Sequence, residues 1–337
     1  MDYSIITLKN ILVILILSSF CFISLKNSFF IGNLLGLNDL PNKRKIHKKI
    51  IPNFGGLLFI ICSIIIFLFL YLSNQLNFEV KDLIYINIAL ITMFFMGYYD
   101  DIKSISPYKR IGFFFIILLI VIYESNNLSL KEIYFKNFFN IDVYVPNLAI
   151  LLTTFCLFLF YNSFNFSDGA NGIALSSSII YLIYLLIKIN YADIYILFHL
   201  IILILIFLYN IQNKIFIGNN GSSAISIFLG LIFIYFYNKK FNLYADQIVI
   251  LFLLPGLDMV RVTIERIFYN KNPLLPDKTH FHHLLIKFVD KKKIWMPYSI
   301  TSLMPILFYE LKFKSEYIIL FSIILFLLLI YYLKKKD

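Results

Sequence analysis

Long apolar blocks separated by short polar segments make up most of the chain. Each block is close to the roughly 20 residues that a helix needs to cross the hydrocarbon core of a bilayer. The pattern therefore predicts an all-α fold, a polytopic membrane helix bundle of about eleven transmembrane helices. The predicted spans are approximately 7–25, 54–73, 83–99, 111–125, 146–163, 172–189, 194–210, 222–238, 247–267, 295–310 and 316–333.

Composition supports a membrane protein and excludes a soluble globule. Of the 337 residues, 60% are hydrophobic and only 15% are charged, whereas soluble domains carry about 25% charged residues. No loop is long enough to form a separate soluble domain. We therefore expect residues 1–337 to form a single integral membrane domain.

The cationic residues indicate how the chain is oriented. The net charge is +11, and the Lys and Arg residues cluster between apolar blocks, which favours contact with anionic membrane headgroups over binding of nucleic acid. Most of them fall on one of the two sets of alternating loops. By the positive-inside rule that set is cytoplasmic, which places the N-terminus outside and the C-terminus in the cytoplasm.

Five polar segments fall on the predicted cytoplasmic face. Such a gathering is typical of an active site at a membrane surface, although a transporter vestibule would also collect polar loops. The segments are residues 41–56, 97–110, 162–172, 217–222 and 273–283.

Two adjacent aspartates, Asp100 and Asp101, follow the third predicted span directly. Acidic side chains at the end of a span are costly to desolvate, and in a site they suit phosphate chemistry or proton abstraction. A solvated helix end, with Lys103 as partner, is the alternative interpretation. Sequence alone leaves both open.

Asn162, Asn165 and Asp168 are spaced three residues apart. On a continuing helix they would share one face, where amide and carboxylate oxygens would form a cradle for a hard cation such as Mg²⁺. Helix capping by asparagine is the structural alternative.

Three of the five histidines, His280, His282 and His283, lie close together. Zinc binding is the weaker interpretation, because no HExxH pattern or nearby cysteine accompanies them. Contact with pyrophosphate or hydroxyl oxygens is favoured. His47 lies in a cationic run with Arg44, which serves either as a topology signal or to attract an anionic headgroup, and His199 is expected to be a satisfied interior residue.

Near the end of the ninth predicted span, Asp258, Arg261 and Glu265 recur at helical spacing. Ionisable residues at a membrane edge are either paired with each other or functional. An ion pair along the helix and a contact to substrate are equally compatible with the pattern.

In this order, the clusters resemble the polyprenyl-phosphate N-acetylhexosamine-1-phosphate transferases of glycosyltransferase family 4, which include the MraY, WecA and TagO enzymes. The resemblance covers a core of about residues 39–283. The matching positions are Asp39, Pro41, Arg44, Lys45, His47, Pro52, Gly55, Gly56, Asp100, Asp101, Ser106, Pro107, Lys109, Asn162, Asn165, Asp168, Gly169, Pro276, Asp277, His280, His282 and His283.

The resemblance implies a reaction in a bacterial inner (plasma) membrane, with the active site on the cytoplasmic face. A polyprenyl phosphate attacks the sugar-attached phosphorus of a UDP-sugar, and UMP is released, with Mg²⁺ as cofactor. Phosphoryl transfer depends mainly on positioning and charge neutralisation. The resemblance also favours a homodimer.

The resemblance also implies roles for individual residues. Asp100, Asp101 and Asp168 would be catalytic, and Asn165 and Asn219 would hold the metal. Substrate would be bound by Arg44, His47, Lys109, Asn162, His280, His282 and His283. Asp258 and Arg261 are added as candidate substrate contacts from their position at the membrane edge, not from the resemblance.

One position departs from the family pattern. The family has a metal-binding aspartate where this chain has Asn219, within the segment Phe216–Ser223. An amide oxygen can bind Mg²⁺ but contributes no charge, so weaker affinity is expected. The chain is then an active enzyme that draws its negative charge from other carboxylates and the substrate, a weakened homologue that binds lipid or nucleotide, or a transporter.

Overall fold

The computed structural model describes residues 8–41, 49–137, 142–190, 193–272 and 279–335. These residues are mostly helical. In chain order the helices are α1 (Leu8–Lys26), α2 (Ser28–Leu34), α3 (Gly55–Leu72), α4 (Val80–Lys103), α5 (Pro107–Glu124), α6 (Ala149–Ser167), α7 (Ile173–Lys188), α8 (Ile194–Asn210), α9 (Gly218–Asn238), α10 (Ala245–Leu251), α11 (Leu253–Phe268), α12 (Phe281–Leu285), α13 (Trp295–Glu310) and α14 (Ser315–Lys335).

Six helices within the described ranges are long and apolar enough to cross a membrane, or seven if the bent pair α10–α11 is one span. The six are α1, α3, α4, α9, α14 and the segment Pro146–Ser167, which contains α6. In a bilayer a helix satisfies its own backbone hydrogen bonds, which explains why apolar blocks fold this way. The chain is therefore a helical membrane protein with several spans. Each of the eleven predicted blocks coincides with a helix or helix pair, but the number that cross the membrane stays a prediction.

The ninth predicted span, 247–267, is not one helix as expected. It is broken between α10 and α11, which meet at 65°. Pro255 lies in the first turn of α11. Since proline lacks an N–H and its ring clashes with the carbonyl four residues earlier, here that of Leu251, α10 cannot continue through it.

The first of two compact units comprises the described residues of Met1–Ser125 and Ser178–Leu229. In it α3 packs against α8 and α4, α1 packs against α8, and α4 packs against α5. A short antiparallel pair joins β1 (Asn38–Asp39) to β2 (Ile51–Pro52). Gly55, just beyond β2, donates its backbone N–H to the carbonyl of Phe216 at 3.0 Å. The N–H of Phe216 in turn donates to the carbonyl of Pro52 at 2.9 Å. These two bonds fix the segment that leads into α9.

His199 lies inside the first unit, on α8. Its Nδ1 is 2.8 Å from the carbonyl oxygen of Tyr195, and its Nε2 is 3.1 Å from Oγ of Ser63. Its ring stacks on Phe228, with centroids 4.4 Å apart. The prediction of a satisfied interior histidine is confirmed.

The second unit comprises the described residues of Asn126–Ser177 and Gly230–Asp337. Helix α6 packs against α11, while α13 and α14 pack against each other and against α10 and α11. Strands β3 (Glu132–Tyr134) and β4 (Asp142–Tyr144) pair antiparallel. Phe281 of α12 is buried in an apolar core against Tyr298 and Phe326. That anchor holds the histidine-rich segment in place.

Candidate functional site

In the first unit, Asp101 binds the first turn of α9. Its Oδ1 accepts a hydrogen bond from the backbone N–H of Asn219 at 3.2 Å. Its Oδ2 accepts from the backbone N–H of Asn220 at 3.2 Å and from the side-chain amide of Asn220 at 2.8 Å. The first N–H groups of a helix lack intrahelical partners and carry partial positive charge, so a carboxylate there is stabilising. Asp101 therefore fastens the start of α9 to the end of α4.

Asp100, one residue earlier, is held by different donors. Its Oδ1 accepts from the backbone N–H of Ile105 at 2.6 Å. Its Oδ2 accepts from Arg110 at 3.4 Å and from the side-chain amide of Asn219 at 3.3 Å. The side chain of Asp100 is 11% exposed and that of Arg110 is 26% exposed. The pair thus reaches the surface of this unit, whereas every oxygen of Asp101 is directed at α9.

Helix α5 supplies Arg110, the cation that pairs with Asp100. Pro107 begins the helix, at the position where a missing N–H costs nothing. Lys109 and Arg110 follow in the same turn, and Lys109 is exposed. Arg110 was not predicted from the sequence as a site residue, although it directly follows Lys109, which was predicted. Asn220 was missed too, next to Asn219.

Two glycines allow the backbones of α3 and α4 to lie directly against the start of α9. A Cβ on Gly97 of α4 would overlap the carbonyl oxygen of Asn219. One on Gly56 of α3 would overlap both the side-chain oxygen of Asn220 and the backbone of Gly221. The two asparagines are consequently held by direct backbone packing as well as by hydrogen bonds.

In the second unit, Asp258 organises the histidine-rich segment. Its Oδ2 lies 2.9 Å from Nδ1 of His280, and since an ionised carboxylate only accepts, Nδ1 carries the hydrogen. Its two oxygens also accept from the backbone N–H of Phe281 at 3.0 and 3.2 Å. Asp258 is 4% exposed. This buried carboxylate therefore fixes both the orientation and the tautomer of His280.

Arg261 continues the same network. Its guanidinium donates to Asp258 at 2.7 Å, to the carbonyl oxygen of Thr279 at 2.7 Å and to Glu265 at 3.0 Å. Lys334 donates to the same Glu265 oxygen at 2.8 Å. Of the two interpretations that the sequence left open, the geometry supports ion pairing along the helix. Substrate contact by Asp258 and Arg261 stays a prediction.

His282 is buried with two unsatisfied ring nitrogens. It is 1% exposed, and neither Nδ1 nor Nε2 has a hydrogen-bond partner among the described residues. Burial, together with the neighbouring His283, lowers the pKa of His282 from 6.5 to about 3. A Cβ on Gly169 would overlap its Nε2. His282 is therefore a neutral imidazole with hydrogen-bonding capacity unused in this state, while His283 is half-buried.

The end of α6 lies beside this segment within the second unit. The ring of Phe166 packs against His280, with centroids 5.2 Å apart. Asn162 donates its side-chain amide to the carbonyl of Phe158 at 2.8 Å. Helix α6 ends at Ser167, and Asp168 is its C-cap: the backbone N–H of Asp168 donates to the carbonyl of Asn165 at 3.2 Å.

Not all predicted site residues can be placed. Arg44 and His47 lie outside the described residues, as do Pro276 and Asp277 of the matched motifs. In the first unit the structure brings together Asp100, Asp101 and Asn219, with Lys109 beside Arg110. In the second unit it brings together Asp258, Arg261, His280, His282 and the loop after α6.

The first-unit cluster has oxygen donors of the type that Mg²⁺ prefers, but their arrangement does not fit a resident ion. Each of the four oxygens of Asp100 and Asp101 already accepts an N–H hydrogen bond. Across the part of the chain that the structure describes, no three His, Cys, Asp or Glu side chains are grouped as a metal site. Asn219 directs its amide nitrogen, not its oxygen, at Asp100.

The chain is similar in sequence to known glycosyl transferases. Residues 83–237 match glycosyl transferase family 4. The chain is 26% identical over 308 residues to the probable undecaprenyl-phosphate N-acetylglucosaminyl 1-phosphate transferase of Bacillus subtilis, covering 88% of this chain and 83% of that protein.

Two further relatives extend the comparison. An undecaprenyl-phosphate alpha-N-acetylglucosaminyl 1-phosphate transferase of Thermotoga maritima is 27% identical over 314 residues, 89% of this chain and 93% of its own. A phospho-N-acetylmuramoyl-pentapeptide-transferase of Prochlorococcus marinus is 29% identical over 214 residues, 58% of this chain and 56% of its own.

Proposed function

Because the chain belongs to glycosyl transferase family 4, we propose that it transfers a sugar-1-phosphate, N-acetylhexosamine or a deoxyamino-sugar, from a UDP-sugar to polyprenyl phosphate. Relatives named as undecaprenyl-phosphate N-acetylglucosaminyl 1-phosphate transferases support this reaction class. A phosphate oxygen of the lipid attacks the sugar-attached phosphorus. The bond to the bridging oxygen breaks, and UMP leaves with that oxygen.

The observation that carries the proposal is the surface-reaching pair of Asp100 and Arg110, beside Lys109. In such a transfer, cations neutralise phosphate charge, and a carboxylate positions or deprotonates the nucleophile. Lys109 and Arg110 would bind the lipid phosphate, and Asp100 would accept its proton. No step is assigned to Mg²⁺, since the Asn219 side chain presents an N–H rather than an oxygen to Asp100.

The second unit is proposed to bind the nucleotide sugar. Asp258 leaves Nε2 of His280 available as an acceptor, and His282 has two unsatisfied nitrogens. A buried polar atom without a partner is costly, and a ligand hydroxyl or phosphate oxygen would relieve that cost. His283, Asn162 and Asp168 belong to the same proposed surface.

We also propose that the chain crosses a bacterial inner membrane eleven times, with the N-terminus outside and the C-terminus in the cytoplasm. We further propose that it forms a homodimer. The distribution of cations between alternating loops supports the orientation. Reporter fusions after α14 and after each predicted loop test the topology. A C-terminal reporter active only outside the cytoplasm would contradict it.

The function is tested by release of UMP from purified full-length protein given polyprenyl phosphate and a panel of UDP-sugars, with and without Mg²⁺. One or more donors should yield UMP and a lipid-linked sugar diphosphate, and Asp100→Asn should abolish both products. Asp290→Asn, an exposed loop change, serves as the matched control. Absence of UMP with every donor would refute the transferase and leave a lipid- or nucleotide-binding homologue, or a transporter.

A further inference from the structure

Asn219 contacts both aspartates of the first-unit cluster at once. Its backbone N–H donates to Asp101 at 3.2 Å, and its side-chain amide donates to Asp100 at 3.3 Å. Asn219 is thus the one residue that ties the two carboxylates to the same point of α9 among the contacts described here.

Part of the negative charge in the cluster is compensated by groups of the protein itself. Asp100 faces the guanidinium of Arg110 and the side-chain amide of Asn219. Asp101 faces the partial positive charge at the start of α9 and the side-chain amide of Asn220. Hydrogen bonds to an ionised carboxylate are roughly twice as strong as those between neutral groups. These contacts hold the two carboxylates in a fixed geometry.

A carboxylate in place of Asn219 could not donate. It would set a third negative charge about 3.3 Å from the Asp100 oxygen that the amide now contacts. Like charges at this separation disfavour the ionised state unless a cation lies between them. The residue at position 219 therefore decides whether the cluster needs a cation.

The backbone cannot shift to relieve such a clash. Gly97 and Gly56 pack directly against the backbone of Asn219 to Gly221, so the side chain at position 219 projects from a fixed position. The amide contact to Asp100 is consequently preorganised by α3 and α4.

We propose that Asn219 is a positioning residue that holds Asp100 through its amide, so that the cluster keeps its geometry without a resident divalent cation, and that Asn219→Asp converts it into a cation-binding site. Any effect on catalysis rests on the proposed function. The predicted dependence of the Asn219→Asp variant on a divalent cation does not rest on the proposed function, because it concerns only the folded first-unit cluster.

The test measures Mn²⁺ binding by electron paramagnetic resonance and thermal unfolding with and without Mg²⁺, on full-length protein in detergent. Wild type and Asp100→Asn should bind Mn²⁺ alike. Asn219→Asp should gain one saturable site at least about tenfold tighter, and the double variant with Asp100→Asn should lose it. Without divalent ions the Asn219→Asp variant should unfold at a lower temperature than wild type. Addition of Mg²⁺ should raise its unfolding temperature back to that of wild type.

Gln212→Glu is the matched control, since it makes the same amide-to-carboxylate change at an exposed position of the loop before α9. It should neither gain the site nor respond to Mg²⁺. Tight Mn²⁺ binding by wild type that Asp100→Asn weakens would overturn the proposal, as would Asn219→Asp without tighter binding. If Asn219→Asp does not fold, the comparison of wild type with Asp100→Asn still decides. None of these readouts depends on UMP release, so their failure is distinct from failure of the proposed function.

Discussion

The carboxylate of Asp258 accepts a hydrogen bond from Nδ1 of His280 at 2.9 Å, and both groups are buried. The contact joins α11 to the segment before α12, 22 residues apart in sequence. A carboxylate behind a neutral histidine fixes which ring nitrogen carries the hydrogen. In the neutral His280 ring, Nε2 is therefore the nitrogen that can accept a hydrogen bond.

Replacing Asp258 with Asn should weaken nucleotide-sugar binding. The change removes the charge that pairs with Arg261 and the acceptor that orients His280, and breaking a buried pair costs about 3 kcal/mol. We expect KM for the UDP-sugar to rise about tenfold or more and the unfolding temperature to fall. Steady-state kinetics with Asp290→Asn as control checks this. A large loss of kcat with KM unchanged would instead indicate a direct catalytic role.

Asp101 should matter for stability, because its oxygens accept from the first turn of α9. Loss of a capping carboxylate costs about 1–2 kcal/mol. Asp101→Asn should therefore unfold at lower temperature than Asp100→Asn, while retaining more transfer activity. Equal unfolding temperatures for the two variants would contradict the division of roles.

That division was not accessible from sequence. Asp100 and Asp101 are adjacent and chemically identical, and both were predicted to be catalytic. What separates them is that Asp101 accepts from the backbone N–H groups of Asn219 and Asn220, 118 and 119 residues later. Asp100 instead accepts from the side-chain amide of Asn219 and from Arg110. No local pattern encodes which of two neighbouring side chains will meet a distant helix.

Other features followed directly from local patterns. The length of the apolar blocks predicted where helices form, because backbone N–H and C=O groups in a bilayer must hydrogen-bond to each other. The break at Pro255 had a signal too, but the apolar run around it, 247–267, suggested one span. For Asp258, helical spacing to Arg261 indicated the ion pair as one of two open interpretations, whereas the bond to His280 depends on how the chain folds back after α11.

Close backbone packing at Gly97 should be sensitive to a single methyl group. Gly97→Ala would drive a Cβ into the carbonyl of Asn219, and overpacking of this kind costs about 1–3 kcal/mol. We expect a lower unfolding temperature and reduced transfer. Gly112→Ala on α5 is the matched control, since open space surrounds that position and alanine favours the helix. If both variants behaved alike, the packing at Gly97 would not be limiting.

Stability should fall in acid because His282 is buried as a neutral imidazole. Its pKa is lowered to about 3 in the folded state, mainly by burial and then by the charge of His283, against a usual value of 6.5. Between these values the unfolded chain binds a proton that the folded chain does not, so stability is complete above pH 6.5 and declines as pH falls towards 3. At pH 5 the loss from this group amounts to about 2 kcal/mol.

His282→Gln removes this titration, so its unfolding temperature should vary less between pH 7 and pH 5 than that of wild type. Gly112→Ala changes no ionisable group and should shift the whole curve without altering its slope. If wild type and His282→Gln lost stability in parallel, His282 would not be buried in its neutral form. A bound UDP-sugar that hydrogen-bonds the imidazole nitrogens should in turn raise the unfolding temperature of wild type more than that of the variant, because it satisfies atoms that only wild type leaves without partners.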